Sequence, residues 1–185
     1  MLNILIVDDE QIVRVYLQSI INWEEEECRL VGTYKNGMEA LEILDKQPID
    51  LVLTDLKMPK MNGLQLIEEI KVRNLQTSVI VLSNHSDYDL VRQAMKLGAL
   101  DYYIKINLQP ADVRHFLKQV REDVNQKLLK QSKLREEEKR QIENFKLGRK
   151  SFLTTVLKGD VSTTLSLYKF AIHLHNYLMF SSFPS

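Results

Sequence analysis

The sequence is poor in cysteine and has no long apolar run. Cys28 is the one cysteine among 185 residues, so no disulfide can form within the chain. A reactive thiol needs an activating environment, and we expect Cys28 to be a small, partly buried side chain instead. No apolar run approaches the about 20 residues that cross a bilayer, and the start, Met1–Ile4, lacks the basic region of a signal peptide. These absences predict a cytoplasmic protein without a membrane partner.

The chain also lacks an excess of either charge, with 25 basic and 25 acidic residues. The two parts differ: residues 1–120 hold 13 Lys and Arg against 18 Asp and Glu, a net charge of −5, and residues 121–185 hold 12 against 7, a net charge of +5. The acidic part is a poor candidate for nucleic-acid binding. In the basic part both signs are interleaved, which is typical of a solvated helix.

Short apolar runs are what the sequence does contain, and four of them end in a polar residue. They are residues 4–7 before Asp8 and Asp9, 51–54 before Asp55, 79–82 before Ser83, and 102–104 before Lys105. Runs of Val, Ile and Leu without alternation are typical of strands buried on both faces. Residues 29–34 are a fifth candidate strand.

Segments with helical spacing separate these runs. Their apolar stripes lie within residues 12–21, 40–44, 64–70, 90–97 and 113–120. Helix boundaries are indicated by Asn36–Gly37, by Asn62–Gly63 and by Gly98. Strands that alternate with helices predict βαβ units and a parallel sheet. We therefore predict an α/β domain of five such units over residues 1–120.

The polar residues at the strand ends predict a site, because parallel strands end at one edge of their sheet and ligands bind there. Three carboxylates, Asp8, Asp9 and Asp55, would repel one another unless a cation lies among them. Such oxygen ligands suit Mg2+. With the Lys105 ammonium and the Ser83 hydroxyl, they supply the positioning and electrostatic stabilisation that phosphoryl transfer needs.

Asp55 ends a central strand and is the natural nucleophile, since aspartate can carry an acyl phosphate. The alternative is that residues 8–10 simply cap the first helix. For any single residue that alternative is the better one, but the coincidence of an acid pair, a central aspartate, a hydroxyl and a lysine favours a functional site.

The motifs at residues 4–10, 50–59, 61–64, 81–83 and 99–105 together resemble the receiver domains of bacterial two-component response regulators. The resemblance covers residues 2–120 and implies a flavodoxin-like fold with strand order 2-1-3-4-5. It implies that Asp55 accepts a phosphoryl group from a sensor histidine kinase, and that Asp8, Asp9, Asp55 and the backbone carbonyl of Lys57 bind Mg2+. Such a protein is a signalling switch and is not an enzyme beyond its own phosphorylation and dephosphorylation.

The resemblance also implies roles for the remaining strand-end residues. Ser83 and Tyr102 would form a switch pair that reshapes the face of the fourth helix, fifth strand and fifth helix. Lys105 and Ser83 would contact the phosphoryl group. Lys57, Asn84 and His85 would lie at the mouth of the site and set the lifetime of the phosphoryl group.

One departure from the family pattern follows Lys105, where many receivers have proline and this chain has Ile106. We expect a trans bond between these two residues, because a cis bond before a residue other than proline costs about 3 kcal/mol.

Residues 121–150 have no proline and read as a helix that continues the fifth. Apolar residues recur at heptad spacing at Val113, Leu117, Val120 and Val124. Further along, this apolar stripe is interrupted by Gln131 and Glu138. Two interpretations stay open: a solvated connecting helix, or a short coiled coil over residues 113–145 that dimerises the chain. The face of the fourth helix, fifth strand and fifth helix is the other candidate dimer surface.

Residues 151–185 are too few for a core of their own. Their pattern resembles the start of the middle region in response regulators with a C-terminal AraC-type DNA-binding region, the YesN-like kind. We expect an incomplete middle or output region, either truncated or divergent, with a transcriptional output and with DNA as a partner only if a further C-terminal region is present. A binding module that works without phosphorylation is the alternative, and a phosphatase is disfavoured because no general acid or base accompanies the carboxylates.

Overall fold

The computed structural model describes residues 1–84 and 87–157. The chain divides into two compact units, residues 1–129 and residues 130–185. In the second unit, residues 130–157 are described, and they are helical. The predictions for His85 and for residues 158–185 lie outside the described residues.

Strands and helices alternate along residues 1–129, as the apolar runs predict. The elements are β1 (Leu2–Val7), α1 (Gln11–Ser19), β2 (Cys28–Tyr34), α2 (Gly37–Leu44), β3 (Leu51–Asp55), α3 (Gly63–Val72), β4 (Ser78–Ser83), α4 (Tyr88–Leu97), β5 (Asp101–Ile104), a 3-10 turn (Lys105–Asn107) and α5 (Pro110–Leu157). All four strand pairs are parallel, and the strand order is β2-β1-β3-β4-β5. The predicted flavodoxin-like fold is confirmed.

Each face of the sheet is covered by helices, which explains why its strands are apolar on both sides. Leu5, Val7, Val52 and their neighbours pack against α2, α3 and α4. Ile4 and Leu53 belong to the opposite layer, with α1 and the start of α5. A strand buried on both faces exposes no polar surface until it ends, so polar side chains concentrate at the edge of the sheet.

Three residues of the predicted apolar stripes are exposed. Ile12 and Tyr16 of α1 are 78% and 43% exposed and Met95 of α4 is 39% exposed, whereas Leu17 and Ala94 of the same helices are buried. One residue along a helix turns its side chain by about 100°. The face that each of these helices buries against the sheet is therefore narrower than the stripe in the sequence.

The predicted helix boundaries agree with the structure. Asn36 caps α2 by accepting a hydrogen bond from the Glu39 N–H at 3.0 Å. Asn62 and Gln65 form a capping box at the start of α3. Gly98 ends α4 at a φ of 111°, a conformation that glycine adopts without strain.

Gly63 allows the first turn of α3 to approach the end of β3. A Cβ atom at this position would lie 2.1 Å from the Asp55 carbonyl oxygen and 2.9 Å from the Leu56 Cα. Both atoms belong to the backbone, so they cannot rotate away. The absence of a side chain at Gly63 thus positions the segment that carries Asp55.

We expect Gly63→Ala to lower the free energy of unfolding by about 2–3 kcal/mol, because overpacking forces the backbone to shift. Gly37→Ala is the matched control, since its new Cβ would first meet the flexible Met61 side chain, at 2.8 Å. Urea denaturation measures both variants. A loss at Gly63 no larger than the loss at Gly37 would contradict the predicted close approach.

Candidate functional site

The strand register brings the predicted polar residues to one edge of the sheet. Val7 pairs with Thr54, so Asp8 and Asp55 each lie one step further along adjacent strands. Ser83 ends β4 opposite Ile104 of β5, and Lys105 follows directly. The side chains of Asp8, Asp55 and Ser83 are buried, so the edge holds a compact polar cluster, here called the pocket, and not merely a row of turn residues.

Lys105 lies at the centre of this pocket. Its Nζ is 2.7 Å from Asp8 Oδ2, 3.0 Å from Asp55 Oδ2 and 3.5 Å from Glu10 Oε1. Asp8 and Asp55 are almost completely buried, and Glu10 is exposed. The buried part of the pocket therefore holds two carboxylates and one ammonium, which leaves an uncompensated negative charge.

The backbone fixes one oxygen of each buried carboxylate. Asp8 Oδ1 accepts a hydrogen bond from the Glu10 N–H at 2.9 Å, and Asp55 Oδ1 accepts one from the Leu56 N–H at 2.7 Å. Asp8 Oδ2 is buried and makes no aligned hydrogen bond, so its contact with Lys105 is a charge pair. This oxygen retains lone pairs for a further cation.

The pKa shifts of the buried groups indicate that the pocket holds too little positive charge for its two carboxylates. Burial raises the pKa of Asp8 and of Asp55 above the usual aspartate value, and the nearby Lys105 ammonium only partly offsets this. Burial by itself would lower the pKa of Lys105, but the two carboxylates outweigh it and raise that pKa. Lys105 thus stays charged at neutral pH, while the carboxylates are destabilised as anions.

The donor set fits Mg2+. Carboxylate oxygens of Asp8, Asp9 and Glu10 all lie within 4.8 Å of one another, and Asp55 shares Lys105 with Asp8. Hard oxygen ligands of this kind are those that Mg2+ prefers. Glu10 is absent from the predicted ligand set, although its place directly after Asp8 and Asp9 was a visible signal.

The two predicted switch residues lie in different surroundings. Ser83 is buried at the pocket, whereas Tyr102 is 46% exposed. Tyr102 lines an open groove of about 520 Å³ between α4 and β5, together with Tyr88, Met95 and Ile104. The structure therefore places Tyr102 on the outer face of this region.

The segment after Lys105 is held without proline. The Lys105–Ile106 bond is trans, as predicted, and Ile106 is exposed within the 3-10 turn. The Tyr16 hydroxyl donates a hydrogen bond to the Leu108 carbonyl at 2.7 Å, and the Leu108 side chain is buried. Contacts from α1 thus anchor the segment that carries the lysine.

Two residues beside the pocket carry no signal in the sequence. Arg14 Nη1 donates hydrogen bonds to the carbonyls of Asp8, at 2.6 Å, and Asp9, at 3.0 Å. Asp87 is a buried carboxylate whose Oδ1 lies 2.6 Å from Lys57 Nζ. Burial by itself would raise the pKa of Asp87, but Lys57 and the Asn84 N–H outweigh it, and the pKa is lowered. Neither residue belongs to a strand-end motif.

A doubly wound parallel sheet with two buried aspartates and a lysine at its carboxyl edge defines a flavodoxin-like α/β domain with an acidic site. Residues 4–121 match the family model described as the response regulator receiver domain. The chain belongs to the response regulator receiver family.

Relatives and solved structures agree with this family. Over 105 residues the chain is 35% identical to the transcriptional regulatory protein HptR of Staphylococcus aureus, an alignment that covers 57% of this chain and 41% of HptR. The REC domain of AraT, a response regulator from Geobacillus stearothermophilus, is 30% identical with a TM-score of 0.62 over 69% of this chain and 98% of that one. A two-component transcriptional regulator AraC from Clostridium phytofermentans is 33% identical with a TM-score of 0.58 over 70% and 99%.

The aligned part of this chain thus spans less than half the length of the HptR relative. Within the described residues, the search for a helix long and apolar enough to cross a membrane found none.

Proposed function

We propose that this chain is the phosphoacceptor switch of a two-component system and that Asp55 receives a phosphoryl group from a sensor histidine kinase. The observation that carries the proposal is the buried Asp55 carboxylate, whose Oδ2 lies 3.0 Å from the Lys105 ammonium and next to Asp8. A nucleophile held beside a fixed positive charge is what transfer of an anionic group requires.

The transfer forms one bond and breaks one bond. An Asp55 carboxylate oxygen attacks the phosphorus of a phosphohistidine, and the new P–O bond forms as the P–N bond breaks. The kinase imidazole leaves with the electron pair of the P–N bond and gains a proton from solvent. Lys105 and Ser83 bind the phosphoryl oxygens. Asp8, Asp9, Asp55 and the Lys57 carbonyl would hold Mg2+, which would supply positive charge beside those oxygens.

Phosphorylation would then change the outer face of the domain. A phosphoryl group adds charge and acceptor oxygens, and the buried Ser83 hydroxyl would move to donate to one of them. Tyr102, half exposed at the α4–β5 groove, would turn inward to fill the vacated space. The α4-β5-α5 face is therefore the proposed output surface and a proposed dimer surface.

We further propose a cytoplasmic transcriptional output of the AraC type, since HptR and the AraC regulator from Clostridium phytofermentans are transcriptional regulators. DNA contact would belong to a region outside the aligned part of the chain. The helix α5 offers a second dimer surface over residues 113–145. Its exposed apolar side chains include Leu128, Leu129, Leu134 and Ile142.

The test is incubation of the chain with Mg2+ and a small acyl-phosphate donor, read by intact mass and by sedimentation. We expect the mass of one phosphate in the wild type and in Asp89→Asn, an exposed control, and no gain in Asp55→Asn. Dimerisation on labelling would make α5 or the α4-β5-α5 face part of the switch. A stable dimer without any mass gain would instead support a binding module that works without phosphorylation.

We expect Lys57→Ala and His85→Ala each to speed decay of the phosphoryl group about threefold or more, because we propose that these side chains limit the access of water to the phosphorus. The decay of the intact-mass signal measures this, with Lys60→Ala as an exposed control in the loop that carries Lys57. Unchanged decay in both variants would contradict the proposed tuning role.

A further inference from the structure

Lys57 and Asp87 form an ion pair beside the phosphoacceptor. Lys57 Nζ lies 2.6 Å from Asp87 Oδ1; the lysine side chain is 58% exposed and the aspartate side chain is fully buried. Asp87 Oδ1 makes no aligned hydrogen bond among the described residues. The contact is therefore a charge pair between a side chain that can move and one that cannot.

The pair joins the loop after Asp55 to the start of α4. Lys57 is two residues beyond Asp55 at the end of β3, and Asp87 immediately precedes α4. The other Asp87 oxygen, Oδ2, accepts a hydrogen bond from the Asn84 N–H at 2.9 Å, and the Asp87 carbonyl accepts one from the Val91 N–H at 2.9 Å. Asp87 thus belongs to the first turn of α4 while it binds a residue of the phosphoacceptor loop.

We propose that Asp87 is a positioning residue for Lys57, and that the Lys57 ammonium moves from Asp87 to the phosphoryl oxygens when Asp55 is phosphorylated. The loss of this ion pair loosens the first turn of α4. This inference rests on the proposed function of Asp55. It adds a second connection between the phosphoryl group and α4, separate from Ser83 and Tyr102.

Competition between two anions drives the exchange. A phosphoryl group carries about −1.5 to −2 charges and three acceptor oxygens, against one charge on Asp87. Lys57 needs only to rotate its exposed chain to change partner. Once Lys57 has left, Asp87 is a buried carboxylate without its cation, a state that the surrounding structure relieves by opening.

The experiment measures amide hydrogen exchange of the peptide that covers residues 87–95, before and after labelling with the acyl-phosphate donor and Mg2+. The variants are Lys57→Met, Asp87→Asn and their double. Lys60→Met and Asp89→Asn remove the same charges from neighbouring exposed positions and serve as matched controls. Lys57→Arg keeps the charge and tests rescue, and intact mass gives the labelled fraction of each sample.

In the unlabelled protein we expect Lys57→Met and Asp87→Asn each to speed exchange in this peptide about tenfold. The double variant should exchange no faster than either single variant, because each single change already removes the whole ion pair. Labelling should speed exchange in the wild type, in both controls and in Lys57→Arg, but by clearly less in Lys57→Met, where only the connection through Ser83 and Tyr102 remains. The last result separates a positioning role from a merely structural one.

Two results would overturn the inference in distinguishable ways. If Lys57→Met is labelled at Asp55 and shows the same increase on labelling as the wild type, the exchange does not occur and the proposed function stands. If the wild type gains no phosphate, the proposed function fails and this inference fails with it.

Discussion

Lys105→Met is expected to lower the free energy of unfolding by about 3–5 kcal/mol in metal-free buffer, because removing one partner of a buried ion pair leaves uncompensated charge. The Lys105 ammonium lies 2.7 Å from Asp8 Oδ2 and 3.0 Å from Asp55 Oδ2, and both carboxylates are buried. Without it, two buried anions face each other. Urea denaturation measures the loss, and Lys60→Met, at an exposed position, should stay within about 0.5 kcal/mol of the wild type.

The loss should depend on pH. Burial raises the pKa of Asp8 and of Asp55 in the folded chain, so the folded state binds protons more readily than the unfolded state. The free-energy penalty from these groups is therefore present above the folded pKa and disappears as the pH falls toward the usual aspartate range. Lys105→Met should regain stability relative to the wild type on acidification. A loss that is the same at every pH would contradict the buried-charge explanation.

Asp8→Asn is expected to raise the metal-free stability by about 1–2 kcal/mol, because it leaves one buried carboxylate for one buried ammonium. The same change should abolish stabilisation by Mg2+, since it removes a central ligand. In the wild type, Mg2+ at a hundredfold excess over its Kd should add about 2.7 kcal/mol. We therefore expect Asp8→Asn to be more stable than the wild type without metal and to show no stabilisation by Mg2+. These two results together distinguish a cation ligand from a carboxylate with a structural role.

Urea denaturation with and without Mg2+ measures both effects. Asp50→Asn is the control, because Asp50 accepts a hydrogen bond from the Asn3 N–H at 2.7 Å and precedes β3 at its other end. That variant should lose stability and keep the full Mg2+ effect. Full Mg2+ stabilisation in Asp8→Asn would place the cation elsewhere.

The fold could be predicted from the sequence because its strands are covered on both faces. Apolar runs without alternation, separated by helical stripes, permit few arrangements other than a doubly wound parallel sheet. The same pattern located the pocket, since Asp8, Asp55 and Ser83 lie at the ends of buried runs and Lys105 follows the partly exposed β5. Ile12 and Tyr16 of α1 are exposed although they belong to its apolar stripe, because a stripe in the sequence does not fix the width of the face that a helix buries.

The residues beside the pocket were harder to predict because they lie on a helix or directly before one, and not at the end of a strand. Arg14 reaches the carbonyls of Asp8 and Asp9 from α1, and Asp87 reaches Lys57 from the start of α4. Neither contact follows from periodicity, since each depends on the path of a connection. The proposed roles of Ser83 and Tyr102 depend on a second conformation, and a pattern that encodes one buried core contains no information about it.

The measurement that tests the central claim most directly is the position of the phosphoryl group. Borohydride reduces an aspartyl phosphate to homoserine, so labelling with the acyl-phosphate donor and Mg2+, reduction and peptide mass spectrometry identify the acceptor. We expect homoserine at position 55 alone, and none when Mg2+ is replaced by a chelator. Homoserine at Asp8 or Asp9, or a phosphate that survives reduction on another residue, would contradict it.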